Sequence, residues 1–284
     1  MPELDYLVVG HVTADLTPDG PTLGGTATYA SLIAAVLGKR VGLLTAASFE
    51  PALVDVLGDV RVARVPAEDT TRFTNTYENL IRRQKVETIA PSLSAKQLLP
   101  EWRDTPMLHL APVAREVEND FLNAFPKAFI GVTPQGWMRA WDQTGVVRAT
   151  DWKNANAVLA RANAVVMSID DVDDPSRIES WAAKGKVLVV TYGDAGAVVH
   201  HKGTSRHSPA FASGKIVDPT GSGDFFAAAF FTRLAATGDP FASADFANCV
   251  ASFAVERKGH EAVPTAEQIE ERWAAGKRLS NTPK

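Results

Sequence analysis

The residues best suited by type and spacing to do chemistry lie in Asp218-Pro219-Thr220-Gly221-Ser222-Gly223-Asp224, which runs directly into Phe225-Phe226-Ala227-Ala228-Ala229-Phe230-Phe231. Two glycines one residue apart let the backbone approach an anion closely and turn several N–H groups one way. The apolar, alanine-rich run behind them predicts a buried helix whose positive end faces whatever the loop holds. Asp224 stands at the junction, where the helix dipole tolerates a carboxylate that can accept a proton from an attacking hydroxyl. An anion cradle with a base beside it is a layout for phosphoryl transfer. The same Gly-Ser-Gly-Asp is also an ordinary loop ending in a helix cap.

The elements that must hold this loop read as alternating strands and helices. Tyr6 to Gly10 predicts a buried strand, with Asp15 in the loop that follows it. Ligands of open α/β sheets bind beyond the carboxyl ends of the strands, so Asp15 is placed to hold substrate hydroxyls; it is equally an ordinary capping residue. No G-x-G-x-x-G follows this strand, which disfavours a dinucleotide site. Leu23-Gly24-Gly25-Thr26-Ala27 precedes an apolar helix over Thr28 to Leu37 that Gly38 ends, and its paired glycines allow main chain to pack against a polyol. Val41 to Ala46 and Val60 to Val65 predict strands, with a helix around Pro51 to Leu57 between them. Thr70 to Tyr77 and Leu80 to Ile89 break the rhythm: the period there is two, with Glu78-Asn79 as the turn, so a β-hairpin is expected. Phe73, Asn75 and Tyr77 share one face of it, turned either to substrate or to a packing contact. Strands at Met107 to Leu110, Ala128 to Val132, Ala164 to Ser168 and Val187 to Thr191, with helices between, imply parallel pairing through right-handed crossovers.

Composition excludes several other classes. A chain of 284 residues that is 45% hydrophobic can bury a large core, and its net charge of −4 offers nothing for nucleic acid or an anionic membrane. One cysteine, Cys249, leaves no internal disulfide and reads as a small buried hydrophobe, which suits a reducing cytoplasm. No apolar run approaches the ~20 residues of a membrane span, and the acidic start does not read as a signal or transit peptide. The six histidines show no metal-ligand spacing, and His200-His201 reads as strand surface. Ser280 to Lys284 reads as a disordered tail behind one domain over 1–279.

Val217 to Phe226 resembles the C-terminal signature of the PfkB, or ribokinase-like, carbohydrate kinase family, and Gly24-Gly25 resembles the N-terminal one. The resemblance covers nearly the whole chain. It implies a three-layer α/β/α fold with a mostly parallel sheet and a small β lid around 70–90. It further implies that Asp15 binds acceptor hydroxyls with Gly24 and Gly25, and that Phe73, Asn75 and Tyr77 cover the substrate. Arg139 matches a region where some members pair an arginine with phosphate, although a lone loop arginine is usually a surface residue. Ser168-Ile169-Asp170-Asp171 stands where many relatives carry Asn-x-x-Glu for magnesium and phosphate, so Ser168 and Asp171 take that place. Asp174, before Pro175, reads instead as a helix cap. Thr191-Tyr192-Gly193-Asp194-Ala195-Gly196 resembles the family's nucleotide loop, with Thr191, Gly193 and Gly196 near ATP. Asn248, with small Ala247 and Ala251, resembles the adenine-side wall. Asp218 and Thr220 match a segment that helps bind a monovalent cation in ribokinase, so potassium dependence is allowed.

The resulting expectation is an ATP-dependent kinase, using magnesium, that phosphorylates a hydroxyl on a small polyol or sugar. Asp224 serves as base, and the amides around Gly221, Ser222 and Gly223 form the anion hole. Within the family the nearest resemblance is to plant-type myo-inositol kinases, through Leu23-Gly24-Gly25-Thr26-Ala27, Val217-Asp218-Pro219-Thr220-Gly221 and Asn248. A nucleoside kinase and a catalytically silent ligand-binding protein of the same fold stand as alternatives. The expected assembly is a monomer or a homodimer joined through the lid, with no nucleic-acid or membrane partner.

Overall fold

Among the described residues nine strands form one sheet, and its central strands are buried, mostly apolar runs, as parallel strands covered on both faces require. The structure is a computed structural model and describes residues 2–17, 20–48, 55–78 and 81–283. The main sheet contains β1 (Tyr6–Val9), β4 (Val41–Ala47), β5 (Arg61–Pro66), β8 (Met107–Leu110), β9 (Phe129–Val132), β12 (Ala164–Ser168), β13 (Val187–Thr191), β14 (Ala197–His201) and β15 (Thr204–Ser208). Its order is β15-β14-β13-β12-β9-β8-β1-β4-β5; all neighbours are parallel except the β13-β14-β15 edge. His200 and His201 lie on that antiparallel edge, partly exposed.

Helices cover both faces. On one side lie α1 (Thr26–Val36) and three helices near the end of the described chain: α5 (Ser222–Thr237), α6 (Pro240–Ala254) and α7 (Ala266–Ala275). On the other lie α2 (Phe121–Ala124), α3 (Ala155–Arg161) and α4 (Arg177–Lys184), with Trp152 and Trp181 edge to face. Helix α5 is apolar all round over its middle: Phe225, Phe226 and Ala227–Phe231 are buried, as expected of a helix wedged between the sheet and its neighbours. Cys249 is fully buried in α6, and burial pushes its thiol up to about 11. No described helix is long and apolar enough to cross a membrane.

A second sheet of four strands stands apart, in the order β3-β2-β6-β7, with β2 (Thr13–Thr17), β3 (Gly20–Gly24), β6 (Thr71–Glu78) and β7 (Ile81–Thr88). It corrects two expectations. Asp15 lies on β2 rather than in a loop, and the expected hairpin is half of a larger sheet, because β2 pairs in parallel with β6. A third correction concerns the segment after β9. There β10 (Arg139–Trp141) and β11 (Val147–Ala149) form a small antiparallel pair before the next helix. Asp142 fixes their turn by accepting hydrogen bonds from Thr144 and Val146. Asp174 caps a turn rather than the helix itself, accepting from the Ser176 amide just before α4. The expected Glu78-Asn79 turn and the Pro51–Leu57 helix fall partly outside the described residues. Past α7 the described chain has no helix, yet Asn281 donates to Asp194 at 2.9 Å.

Candidate active site

Strand ends, the four-stranded sheet and the start of α5 meet around a cleft of about 890 Å³. Its middle is the loop from Pro219 to Asp224. Gly221 is the N-cap of α5 with φ 86°, and a Cβ there would lie 3.1 Å from the Tyr29 ring, so two constraints require glycine. The Ser222 amide turns back on the Pro219 carbonyl at 3.3 Å and the Asp224 amide on Gly221 at 3.0 Å. Those bonds leave the Gly221 and Gly223 amides as the better members of an anion cradle. A Cβ on Gly223 would meet nothing within 4 Å, so the loop is open on that side. Asp224, half-buried in the first turn of α5, lines the cleft with Gly221, Ser222 and Gly223. Thr220 lines it too. Asp218 does not; its carboxylate accepts the Thr220 amide at 2.9 Å and shapes the loop from behind.

At one end of the cleft the four-stranded sheet presents Asp15, Phe73 and Gln84. Gly24 sits behind Asp15, where a Cβ would come 2.7 Å from Asp15 Oδ2; Gly25, at φ 85°, would press a Cβ to 2.9 Å from the His11 carbonyl. Gly24 thus makes room for the carboxylate and Gly25 for the main chain at His11 and Thr13, and Thr13 Oγ1 donates to Asp15 Oδ1 at 3.0 Å. Asn75 is not among the lining groups. It accepts from Gln84 Nε2 at 3.0 Å, and Gln84, one strand over, faces the cleft instead. The Tyr77 side chain lies outside the described ones. Arg139 is buried rather than a surface residue, with its guanidinium 5.9 Å over the Phe73 ring, 3.3 Å from the Val113 carbonyl and 3.9 Å from Asp171.

Three segments at the root of the four-stranded sheet are tied to the body by one buried polar cluster. Glu116, 2% exposed, accepts amides from His11, Val113 and Ala114; Thr71 Oγ1 lies 2.7 Å from His11 Nδ1 and accepts the Ala90 amide; His11 Nε2 lies 3.0 Å from the Pro91 carbonyl. The crossings near 11, 71 and 90 are therefore held together with the 113–116 loop. A buried carboxylate is sustainable because several amides satisfy it.

The floor and far end come from strand ends of the main sheet. Ser168 ends β12 and is followed by Asp170 and Asp171, Thr191 ends β13 and is followed by Gly193 and Gly196, and all six line the cleft. Ser168 Oγ accepts the Asp170 amide at 3.2 Å, and Asp171 is held by Gln135 at 3.0 Å. Asn248 lines the cleft while donating both to the Ser208 carbonyl and to its hydroxyl. Of the two small residues expected beside it, Ala251 faces the cleft and Ala247 faces the core. Under the floor, Thr133 lies 3.0 Å from His109 Nε2, and His109 Nδ1 lies 3.0 Å from the Tyr6 hydroxyl. Complete burial holds the His109 imidazole down to about 3 and raises the Tyr6 phenol above its ordinary value.

Several lining residues carried no signal of their own, among them Gln84, Gln135, Thr133 and Leu279. The period of two in the hairpin could have found Gln84, since register sets it across from Asn75.

Among the described residues no group of three or more His, Cys, Asp or Glu is arranged to hold a metal ion. Asp170 and Asp171 line the same cleft as the cradle, where carboxylates could hold an ion through water, although Asp171 is already tied to Gln135 and lies 3.9 Å from Arg139.

Residues 148–266 match the family model described as pfkB family carbohydrate kinase. A cytidine kinase from Thermococcus kodakarensis is 28% identical over 248 residues, covering 80% of this chain and 87% of that protein. A pyrophosphate-dependent kinase of the ribokinase family, solved with a pyrophosphate analogue and myo-inositol, superposes with a TM-score of 0.77 at 19% identity, over 93% of this chain and 99% of that one. A ribokinase from Thermotoga maritima gives a TM-score of 0.73 at 18% identity, over 95% and 99%. The fold is therefore that of the ribokinases, and residues 148–266 resemble the pfkB carbohydrate kinases in sequence. The chain is a kinase, and the relatives it matches are sugar and nucleoside kinases.

Proposed function

We propose that the protein transfers the γ-phosphoryl group of ATP to a hydroxyl of a small polyol or sugar. The observation that carries this reading is the cradle at the start of α5, with Asp224 lining the same cleft as Asp15. The acceptor binds at the end bearing Asp15, Phe73, Gln84 and Arg139, where Asp15 accepts hydrogen bonds from its hydroxyls. Asp224 takes the hydroxyl proton as the acceptor oxygen bonds to the γ-phosphorus and the bond to the leaving ADP oxygen breaks. The Gly221 and Gly223 amides stabilise charge on the phosphoryl oxygens. Magnesium, when bound, would neutralise phosphate charge, and Ser168, Asp170 and Asp171 are the residues that would hold it, chiefly through water. Asp218 and Thr220 shape a loop that matches the monovalent-cation segment of ribokinase, which allows potassium dependence.

Two acceptor readings have support. The chain's resemblance to myo-inositol kinases and its likeness to the fold of the inositol-bound enzyme favour a cyclic polyol. The cytidine kinase relative, together with Phe73 and the apolar Met138 and Val147 in the cleft, favours a nucleoside. The deciding experiment incubates the protein with ATP or pyrophosphate and a panel containing myo-inositol, ribose, fructose and cytidine, and measures donor consumed and product formed. Acceptor-dependent use of ATP supports the reading and names the acceptor. Consumption of pyrophosphate alone overturns the donor assignment, and no turnover with any pair favours a silent binding protein.

A further inference from the structure

Past the phosphate cradle the cleft continues into a compartment whose walls include Ala210, Ile216, Ala251, Val255 and Leu279. Ile216 is 65% exposed, a large apolar side chain left in solvent beside an apolar slot. Phosphate oxygens call for amides and cations, whereas methyl groups in this position suit the flat face of a base.

One wall of the compartment is a strap over Lys277–Asn281. The Ala212 amide donates to the Lys277 carbonyl at 3.0 Å and the Leu279 amide to the Ala210 carbonyl at 2.8 Å, forming an isolated antiparallel bridge. The Arg278 guanidinium sits 4.5 Å from the Phe211 ring centre and 3.4 Å from Asp245, and Asn281 donates to Asp194 at 2.9 Å. The strap thus joins the segment after β15 to the loop after β13, closing this end of the cleft from both sides. Successive side chains on an extended strand point to opposite faces: Arg278 turns to Phe211 and Trp273, and Leu279 lines the cleft.

We propose that Leu279 determines donor specificity, packing against the nucleoside part of a nucleotide so that it is preferred over an inorganic polyphosphate. This inference rests on the reading of this end as the donor end. The test measures Kd for ATP and for tripolyphosphate, each with magnesium, by titration calorimetry on the wild type, Leu279→Ala and Arg278→Ala, with thermal unfolding as a control on folding. Leu279→Ala is expected to raise the ATP Kd about tenfold and leave tripolyphosphate unchanged, since it removes apolar contact alone. Arg278→Ala, which frees the strap, shifts ATP in the same direction by a smaller factor. Equal changes for both ligands in Leu279→Ala, or no change for either, overturn the role of Leu279 while leaving the donor site standing. A wild type that binds tripolyphosphate as tightly as ATP overturns the nucleotide preference. A wild type that binds neither overturns the donor reading itself.

Discussion

The two ends of the cleft are built in different ways. The end proposed for the donor is assembled from short contiguous stretches, each starting at a strand end or opening a helix: Ser168 to Asp171, Thr191 to Gly196 and Pro219 to Asp224. The acceptor end is assembled from residues far apart in sequence, Asp15, Phe73, Gln84 and Arg139, brought together only when β2 pairs with β6 and the Glu116 cluster ties the crossings to the body. Backbone geometry dominates the first and side-chain packing the second. Substitutions in the phosphate cradle should therefore act mainly on turnover, and those at the acceptor end mainly on acceptor affinity.

The largest effect is expected where the ends meet. Asp224→Asn removes the proton acceptor while keeping the shape, so turnover should fall roughly 10²–10⁴-fold with ATP affinity nearly unchanged. Parallel measurement of kcat and of ATP Kd checks this; turnover within threefold of wild type would take Asp224 out of the mechanism. A smaller effect, of the other kind, is expected for Asp15→Ala. Loss of a charged hydrogen-bond partner should raise the acceptor KM by roughly 10–100-fold and leave the ATP Kd alone. A change in ATP affinity of the same size would erase the division between the two ends.

An effect on stability rather than activity concerns the floor that both ends share. His109 is buried and neutral, and its proton affinity in the folded protein is held to about 3, below the unfolded imidazole. Below about pH 6.5 the unfolded chain binds a proton that the folded one refuses, so stability falls with acidification, by up to about 1.4 kcal/mol per pH unit from this group. Denaturant unfolding from pH 7.5 to 4.5 should show a steeper acid loss in wild type than in His109→Gln. Equal slopes would mean that the Tyr6–His109–Thr133 chain admits the proton.

The same contrast explains what could be read from the sequence. Gly221, Ser222, Gly223 and Asp224 were legible because a cradle and the helix behind it are local in sequence, and the main sheet was legible because its strands are continuous apolar runs. The parallel strands were assigned within a residue or two of their observed ends. Asp15 was expected near the acceptor, but its place on a strand was hidden, since that depends on pairing β2 with β6 across more than fifty residues. Asn75 was expected in the cleft where Gln84 stands, because alternation gives the face of one strand but not which member of a cross-strand pair reaches farther. Arg139 looked like a loop cation, and only the packing of Phe73 and the β10–β11 turn shows why it is buried. Leu279 lay in a segment with no periodicity at all, and the backbone bridge that aims it exists only in the fold.

The central claim is that one cleft holds donor and acceptor together and passes the phosphoryl group to a hydroxyl rather than to water. The direct measurement follows label from ATP carrying γ-³²P, in the presence of an acceptor identified from the panel, into phosphorylated acceptor and into inorganic phosphate. Wild type should place nearly all label on the acceptor, and shortening the β6–β7 hairpin should raise the inorganic phosphate fraction while the protein stays folded, because the hairpin excludes water. Label released to phosphate at the same rate with and without acceptor in the wild type would contradict the account.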